Sequence, residues 1–201
     1  MLIEQLVQEL SPGVSGAVLV PQDPGYDEAR AVHNGLVDRR PAVIVRARTA
    51  GDVVVALTLA RRTGLEVSVR GGGHNVAGRA VTDGGLMISL ADMNDVAVDP
   101  ERATVTAQGG ATWAQLNAAA GAHGLAVTGG AVSTTGVAGL TLGGGLGWLM
   151  AKHGLAADNL LAAQVVTAAG EVLEVDAAMQ AHGLATPLGR STTASSTAAR
   201  R

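Results

Sequence analysis

The octet Ser68-Val69-Arg70-Gly71-Gly72-Gly73-His74-Asn75 holds the residues of this chain best suited to chemistry. Three consecutive glycines follow an apolar run, Leu65 to Val69. Glycine has no Cβ, so its backbone reaches positive φ and can come very close to a ligand. Successive N–H groups in such a loop form a concavity that suits an anion. Arg70 adds a fixed positive charge at one end, and His74 places a nucleophilic imidazole at the other. The pattern suggests a phosphate-bearing cofactor held beside a reactive side chain. A glycine-rich surface turn with an incidental histidine is the other reading of the octet taken alone.

A second glycine-rich stretch lies further on, with Gly129-Gly130, Gly136, Gly139, Gly143-Gly144-Gly145 and Gly147. From Ala103 to Ala151 the chain contains no Asp, Glu, Lys or Arg. A membrane span is excluded there because polar residues and glycines interrupt it and no 18-residue apolar run exists. The stretch reads instead as backbone buried around a large, mostly flat ligand. Two common phosphate loops are ruled out. No glycine is followed by Lys, as a Walker loop requires, and the dinucleotide fingerprint begun by Gly143 and Gly145 fails at Trp148. The Gly139/Gly143 spacing fits a helix-packing pair but carries little weight outside a continuous apolar helix.

These loops need elements to hold them. Leu2, Leu6 and Leu10 share one face of a predicted helix over residues 1–12, ended by Pro12-Gly13. Residues 16–40 are turn-rich and are expected to pack across a larger body. Pro41 to Arg46 reads as a buried strand. Thr49 caps a helix, with Asp52 at the capping-box spacing, and Gly64 stops it. Glu66 to Val69 is the next strand, so the three elements form a βαβ unit with parallel strands. Leu86 to Leu90 is a strand, and Val96–Val98 with Ala103–Ala107 forms a hairpin. Thr112 and Gln115 cap a second helix, which ends at Gly124. His123 and His153 sit in last helical turns, where a cation suits the helix dipole. A strand from Leu160 to Thr167 turns at Gly170 and pairs back as Glu171 to Val175.

Composition narrows the class. The 201 residues suit one domain or slightly more, and 47% are apolar, enough for a core. Charged residues make up 15%, below the roughly 25% of an average domain. With two Trp, one Tyr and no Phe, that core is built from Ala, Val and Leu. A net charge of −3 without a basic run argues against nucleic acid as a partner. The absence of cysteine excludes disulfides, thiol catalysis and Cys-type metal sites. The first residues lack a positive n-region, so a cytoplasmic location is the expectation.

Taken together, the motifs resemble a known family. Arg70-Gly71-Gly72-Gly73-His74-Asn75 followed by Gly78 resembles the pyrophosphate loop of the FAD-linked oxidases. That group includes the berberine bridge enzyme-like and oligosaccharide oxidases and shares the vanillyl-alcohol oxidase type of FAD domain. Pro21 to Arg30 is similar to the family's N-terminal lead-in, Gly129 to Gly147 to its second glycine segment, and Asp158 to Gly170 to its following strand and turn. The resemblance spans about residues 15–176.

The resemblance implies an α+β fold with FAD extended between two packed subdomains, about 16–95 and 96–176, after an N-terminal helix in 1–15. It implies that Arg70, Gly71, Gly72, Gly73, His74, Asn75 and Gly78 line the pyrophosphate. Gly130, Thr135, Gly136, Gly139, Gly143 and Gly147 would approach the flavin from the second segment, with Val165 from the strand that follows. His74 matches the histidine that bonds the flavin 8-methyl carbon in covalent members. Some relatives add a cysteine bond at the position held here by Val132. The implied reaction is hydride transfer from a small organic substrate to the flavin, then reoxidation by oxygen or another acceptor. No catalytic base can be named. The family pattern stops near Asp176. Residues 177–201 carry no acid and are expected to be disordered, and the family's substrate domain is expected to be absent. An oxidoreductase fragment or short homologue is therefore expected to hold flavin but turn over poorly. A non-catalytic flavin module needing a partner chain, or self-associating, is the alternative, as is a non-functional truncated frame.

Overall fold

The structure is a computed structural model that describes residues 3–176 and two short strands, Thr193–Ala194 and Ala198–Ala199. The expected disorder of 177–201 otherwise lies outside the described residues.

The first layer is a four-stranded sheet. It contains β1 (Val18–Leu19), β2 (Val43–Arg46), β3 (Val67–Arg70) and β4 (Leu86–Ser89), in the order β1-β2-β4-β3. β2 and β3 both run parallel to β4, so the predicted βαβ unit is split: β4 lies between its two strands. β1 joins the edge antiparallel to β2. Alternation along the central strands serves both faces. Val43, Val45, Leu86 and Ile88 point to one core, with Leu6 and Leu10 of α1 (Ile3–Leu10) and Val53 and Leu57 of α3 (Ala50–Thr63). Ile44 and Met87 point to the other, against Tyr26 and Ala29 of α2 (Tyr26–Arg30) and Val81. The Tyr26 hydroxyl, buried in that second core, donates to the Pro41 carbonyl at 2.6 Å.

Helix α3 starts and stops where its sequence dictates. Thr49 and Asp52 form the capping box, and Gly64 ends the helix in the left-handed region at φ 69°. Asp52 is buried and also ties the N-terminal lead-in to the helix: its carboxylate accepts from the Ser15 N–H and hydroxyl and from the Arg48 N–H.

The second layer is built on the antiparallel hairpin β5 (Val96–Asp99) and β6 (Thr104–Ala107), covered by α4 (Trp113–Gly121) and α5 (Val137–Leu142). Trp113, Leu116, Val105 and Val137 form its core. α5 was not anticipated: Gly139 and Gly143 masked a short helix whose buried side is Val137, Ala138 and Thr141. After α6 (Met150–His153), the hairpin β7 (Ala162–Val166) and β8 (Val172–Asp176) follows in register. Val166 packs in the first core, and Arg61 of α3 donates to the Ala169 carbonyl at 2.8 Å. The hairpin is thus tied to the first layer, although it lies within the range 96–176 expected for the second subdomain. Two-residue strands β9 (Thr193–Ala194) and β10 (Ala198–Ala199) pair with β7 and β6.

Candidate functional site

The glycine loop lies at the C-terminal end of β3, where the two layers meet. Its closest neighbour is the second glycine segment. A Cβ on Gly72 would sit 2.2 Å from Gly136 N, and a Cβ on Gly136 would sit 2.5 Å from Gly72 N. The segment is held there by its own hydrogen bonds: Trp113 N–H donates to Thr135 O, and Val137 N–H to Ala111 O, at 3.0 and 2.9 Å. The two stretches singled out from sequence therefore touch backbone to backbone.

Two hollows flank this contact and share Gly71, Gly72 and His74. The larger, about 590 Å³, adds Arg70, His33, Asn94 and Gln115. The smaller, about 360 Å³, adds Asn75, Thr135, Gly136 and Gly139. Together they bring to one seam nine of the expected residues: Arg70, Gly71, Gly72, Gly73, His74, Asn75, Thr135, Gly136 and Gly139.

The other expected residues lie elsewhere. Gly78 lines neither hollow. It is a buried turn residue at φ 71° whose missing Cβ leaves room for Val37. Gly130 lines a separate hollow with Trp148 and Leu149. Gly143 caps the end of α5. Gly147 lies against the Gly129 carbonyl. Val165 sits half-buried in β7, paired with Leu173. The charge-free stretch is also more open than expected. Val132, Leu146 and Trp148 are exposed, Trp148 at 87%.

Arg70 and His74 give the seam its electrostatics. Arg70 Nε is buried with no hydrogen-bond partner among the described residues. Burial, and then the nearby Arg46, disfavour its charge, yet a guanidinium stays protonated in proteins. Arg46 is itself paired with Asp92. A buried cationic donor without a partner is costly unless an acceptor completes it.

His74 is half-buried. Its Nε2 lies 2.9 Å from Thr134 Oγ1 and its Nδ1 3.3 Å from Thr135 Oγ1. His33 stacks on it, ring centroids 4.0 Å apart and planes 13° from parallel. Burial, followed by repulsion from His33, holds the His74 imidazole below its ordinary value. A neutral imidazole keeps one nitrogen as a lone-pair donor to an electrophile, and each hydroxyl can either give or take a hydrogen bond.

His33 and its neighbour Asn34 went unnoticed in the sequence. His33 N–H donates to the Gly73 carbonyl at 3.0 Å, and Asn34 Nδ2 donates to the Val76 carbonyl at 2.9 Å. These two bonds clamp the lead-in segment onto the loop. Nothing in a turn-rich stretch reports such a long-range pairing. His153 lies in α6 and lines neither hollow, as its helix-terminal reading implies.

The residues fit a diphosphate cofactor by three features of the structure: the orphaned Arg70 Nε, glycine backbone that a Cβ would obstruct, and the absence of any carboxylate lining either hollow among the described residues. Known proteins point the same way. The chain is 40% identical over 160 residues to (R)-6-hydroxynicotine oxidase of Paenarthrobacter nicotinovorans, covering 80% of this chain and 35% of that protein. BBE-like 1 of Physcomitrella patens superposes with a TM-score of 0.87 at 26% identity, covering 97% of this chain and 44% of that one. Glucooligosaccharide oxidase of Acremonium strictum, described with a 6-S-cysteinyl, 8α-N1-histidyl FAD, superposes with a TM-score of 0.87 at 27% identity, covering 100% and 42%. The chain thus spans well under half the length of these relatives. The fold is the two-subdomain FAD-binding fold of the vanillyl-alcohol oxidase type. Residues 41–176 match the FAD binding domain family, and the chain belongs to that family of FAD-binding oxidoreductases, with FAD as its cofactor.

Proposed function

We propose that this chain carries its FAD through one covalent bond at His74 and that the bound flavin accepts a hydride from a small organic substrate. The observation that carries this reading is His74 itself, fixed between two hydroxyls at the seam between the glycine segments, where burial and then His33 disfavour its charged form. When bound, the flavin supplies a two-electron acceptor that takes the substrate's hydride and returns the electron pair to dioxygen or another acceptor. The chain's part is to hold and orient it. Arg70 would meet a phosphate oxygen through its orphaned Nε. Gly72 and Gly136 leave the backbone N–H groups of the loop open to the pyrophosphate. Thr134 and Thr135 hold the two His74 ring nitrogens and so orient the ring, and the hydroxyl on the nucleophilic nitrogen would have to turn away for that lone pair to react.

A single bond, rather than two, follows from Val132. It occupies the segment's exposed turn, and the chain has no cysteine to form a thioether. The likeness to an oxidase described with a histidyl FAD supports the same bond. Among the described residues, no Asp or Glu lines the two hollows.

A second reading has its own observation. Leu146, Trp148, Leu149 and Met150 form an exposed apolar stretch beside the second glycine segment, which would suit a flavin module completed by a partner chain or a second copy. The deciding experiment loads the chain with FAD, precipitates it with acid and assays turnover of added amines, alcohols and sugars without other protein. Yellow colour in the pellet with turnover supports the first reading. Colour without turnover supports the second. Colour left in the supernatant contradicts covalency.

A further inference from the structure

We propose that His33 is a positioning residue for His74: its ring, stacked on His74 from the lead-in segment, shields one face of that imidazole and fixes it in plane for bond formation with the flavin. The role in bond formation rests on the covalent reading above; the effect on the imidazole does not.

Two independent contacts place His33. Its N–H is bonded to the Gly73 carbonyl, so its backbone is fixed relative to the residue before His74. Its ring then lies at 4.0 Å and 13° over the His74 ring. Stacking at this distance covers one face of His74, while Thr134 and Thr135 occupy its two ring nitrogens at the edge. The imidazole is therefore constrained both in plane and about its axis. In forming the bond, the FAD 8-methyl carbon would give up one C–H and His74 its ring N–H, and the electron pair would stay on the flavin until dioxygen or another acceptor reoxidised it. The His74 lone pair must be aimed at that one carbon, and such alignment is a large part of any rate.

The charges around the pair favour the neutral form. His33 stacks on His74 from the lead-in, while Arg70 lines one of the hollows that His74 borders and Arg79 the other. The second glycine segment offers only the hydroxyls of Thr134 and Thr135, and α4 only Gln115 and its cap Thr112. No Asp or Glu among the lining residues answers an imidazolium. Two imidazoles stacked at this distance cannot both be charged without mutual repulsion. A protonated His74 would also have no lone pair to give. His33 thus shields His74 from water on one face and penalises its protonation.

The test uses the full chain isolated before FAD is added, with the His74 ring nitrogens followed by NMR from pH 4 to pH 9. His33→Ala keeps the backbone bond to Gly73 but removes the ring. His33→Phe keeps a stacking ring. The His74 midpoint should lie below the ordinary imidazole value of about 6.5 in the parent chain and in His33→Phe, and should rise toward that value in His33→Ala. A midpoint equal in all three proteins overturns the inference, as does one that moves as far in His33→Phe as in His33→Ala. The same proteins are then given FAD, and the rate of acid-stable adduct formation is read at pH 7. Slowing of tenfold or more in His33→Ala alone supports the role in bond formation, and equal rates in all three overturn it. No adduct in any of them, the parent included, refutes the covalent reading while the titration still decides what His33 does to His74.

Discussion

The backbones of Gly72 and Gly136 meet so closely that neither residue has room for a Cβ. One belongs to the loop after β3 and the other caps α5, so this contact is where the two layers join. Gly72→Ala would push a methyl carbon onto Gly136 N, and rigid backbone cannot give way as a side chain can. Overpacking of this kind costs about 1–3 kcal/mol. The variant should melt several degrees lower and lose FAD uptake. Gly139→Ala is the matching control, because no described residue lies within 4 Å of its Cβ position and it sits inside α5. In the flavin-free chain it should stabilise by about 0.5–1 kcal/mol. If flavin approaches Gly139 as the family resemblance implies, the same variant should bind FAD more weakly, so melting curves with and without FAD separate the two effects.

Arg70 offers a cleaner division between stability and binding. Its Nε is buried and unpartnered among the described residues, so the protein without flavin carries an uncompensated cationic donor. Arg70→Met should leave the flavin-free melting temperature unchanged or higher, since replacing poorly satisfied buried charge by apolar volume is often neutral or better. FAD affinity should fall tenfold or more, in line with about 1.5–3 kcal/mol for a charge-assisted hydrogen bond. A fluorescence titration of FAD against both proteins measures this. Equal affinities would remove Arg70 from the site.

Asp52 predicts the acid behaviour of the fold. Burial alone would raise its pKa, but hydrogen bonds from Ser15, Arg48 and Thr49 outweigh that and hold the carboxyl below its ordinary 3.8. A group with a depressed folded pKa adds stability above its unfolded value, and that stability is lost as pH falls through the folded value. The contribution should be complete at pH 6 and fade below about pH 4. Asp52→Asn should lower the melting temperature at pH 7 and narrow the gap to the parent at pH 3. A gap that does not change with pH would mean the carboxylate charge is not what Ser15 and Thr49 hold.

Much of this site is legible in the sequence because it is local. The Ser68-to-Asn75 octet, the Thr49–Asp52 capping box and the Gly64 stop all act over a few residues, and each appears where its spacing places it. What escaped notice is non-local. β4 slips between β2 and β3 because Leu86 to Ser89 is buried on both faces, a fact of packing and not of periodicity. α5 was hidden because glycines at 139 and 143 weaken a helix pattern that tertiary burial of Val137 and Thr141 restores. His33 meets His74 across 41 positions through a backbone hydrogen bond no pattern encodes. At Gly130 and Gly147, which the family resemblance places near the flavin, the space a Cβ would take is filled by Trp113, Leu140 and Gly129, a packing relation that sequence spacing does not reveal.

The covalent role of His74 is tested most directly by intact mass after acid denaturation of the FAD-loaded chain, with and without His74→Ala. The parent should gain the mass of one FAD, found on the peptide that contains His74, and the variant should gain none while still binding FAD reversibly. An adduct that survives His74→Ala, or a parent whose flavin is wholly released by acid, would contradict the assignment.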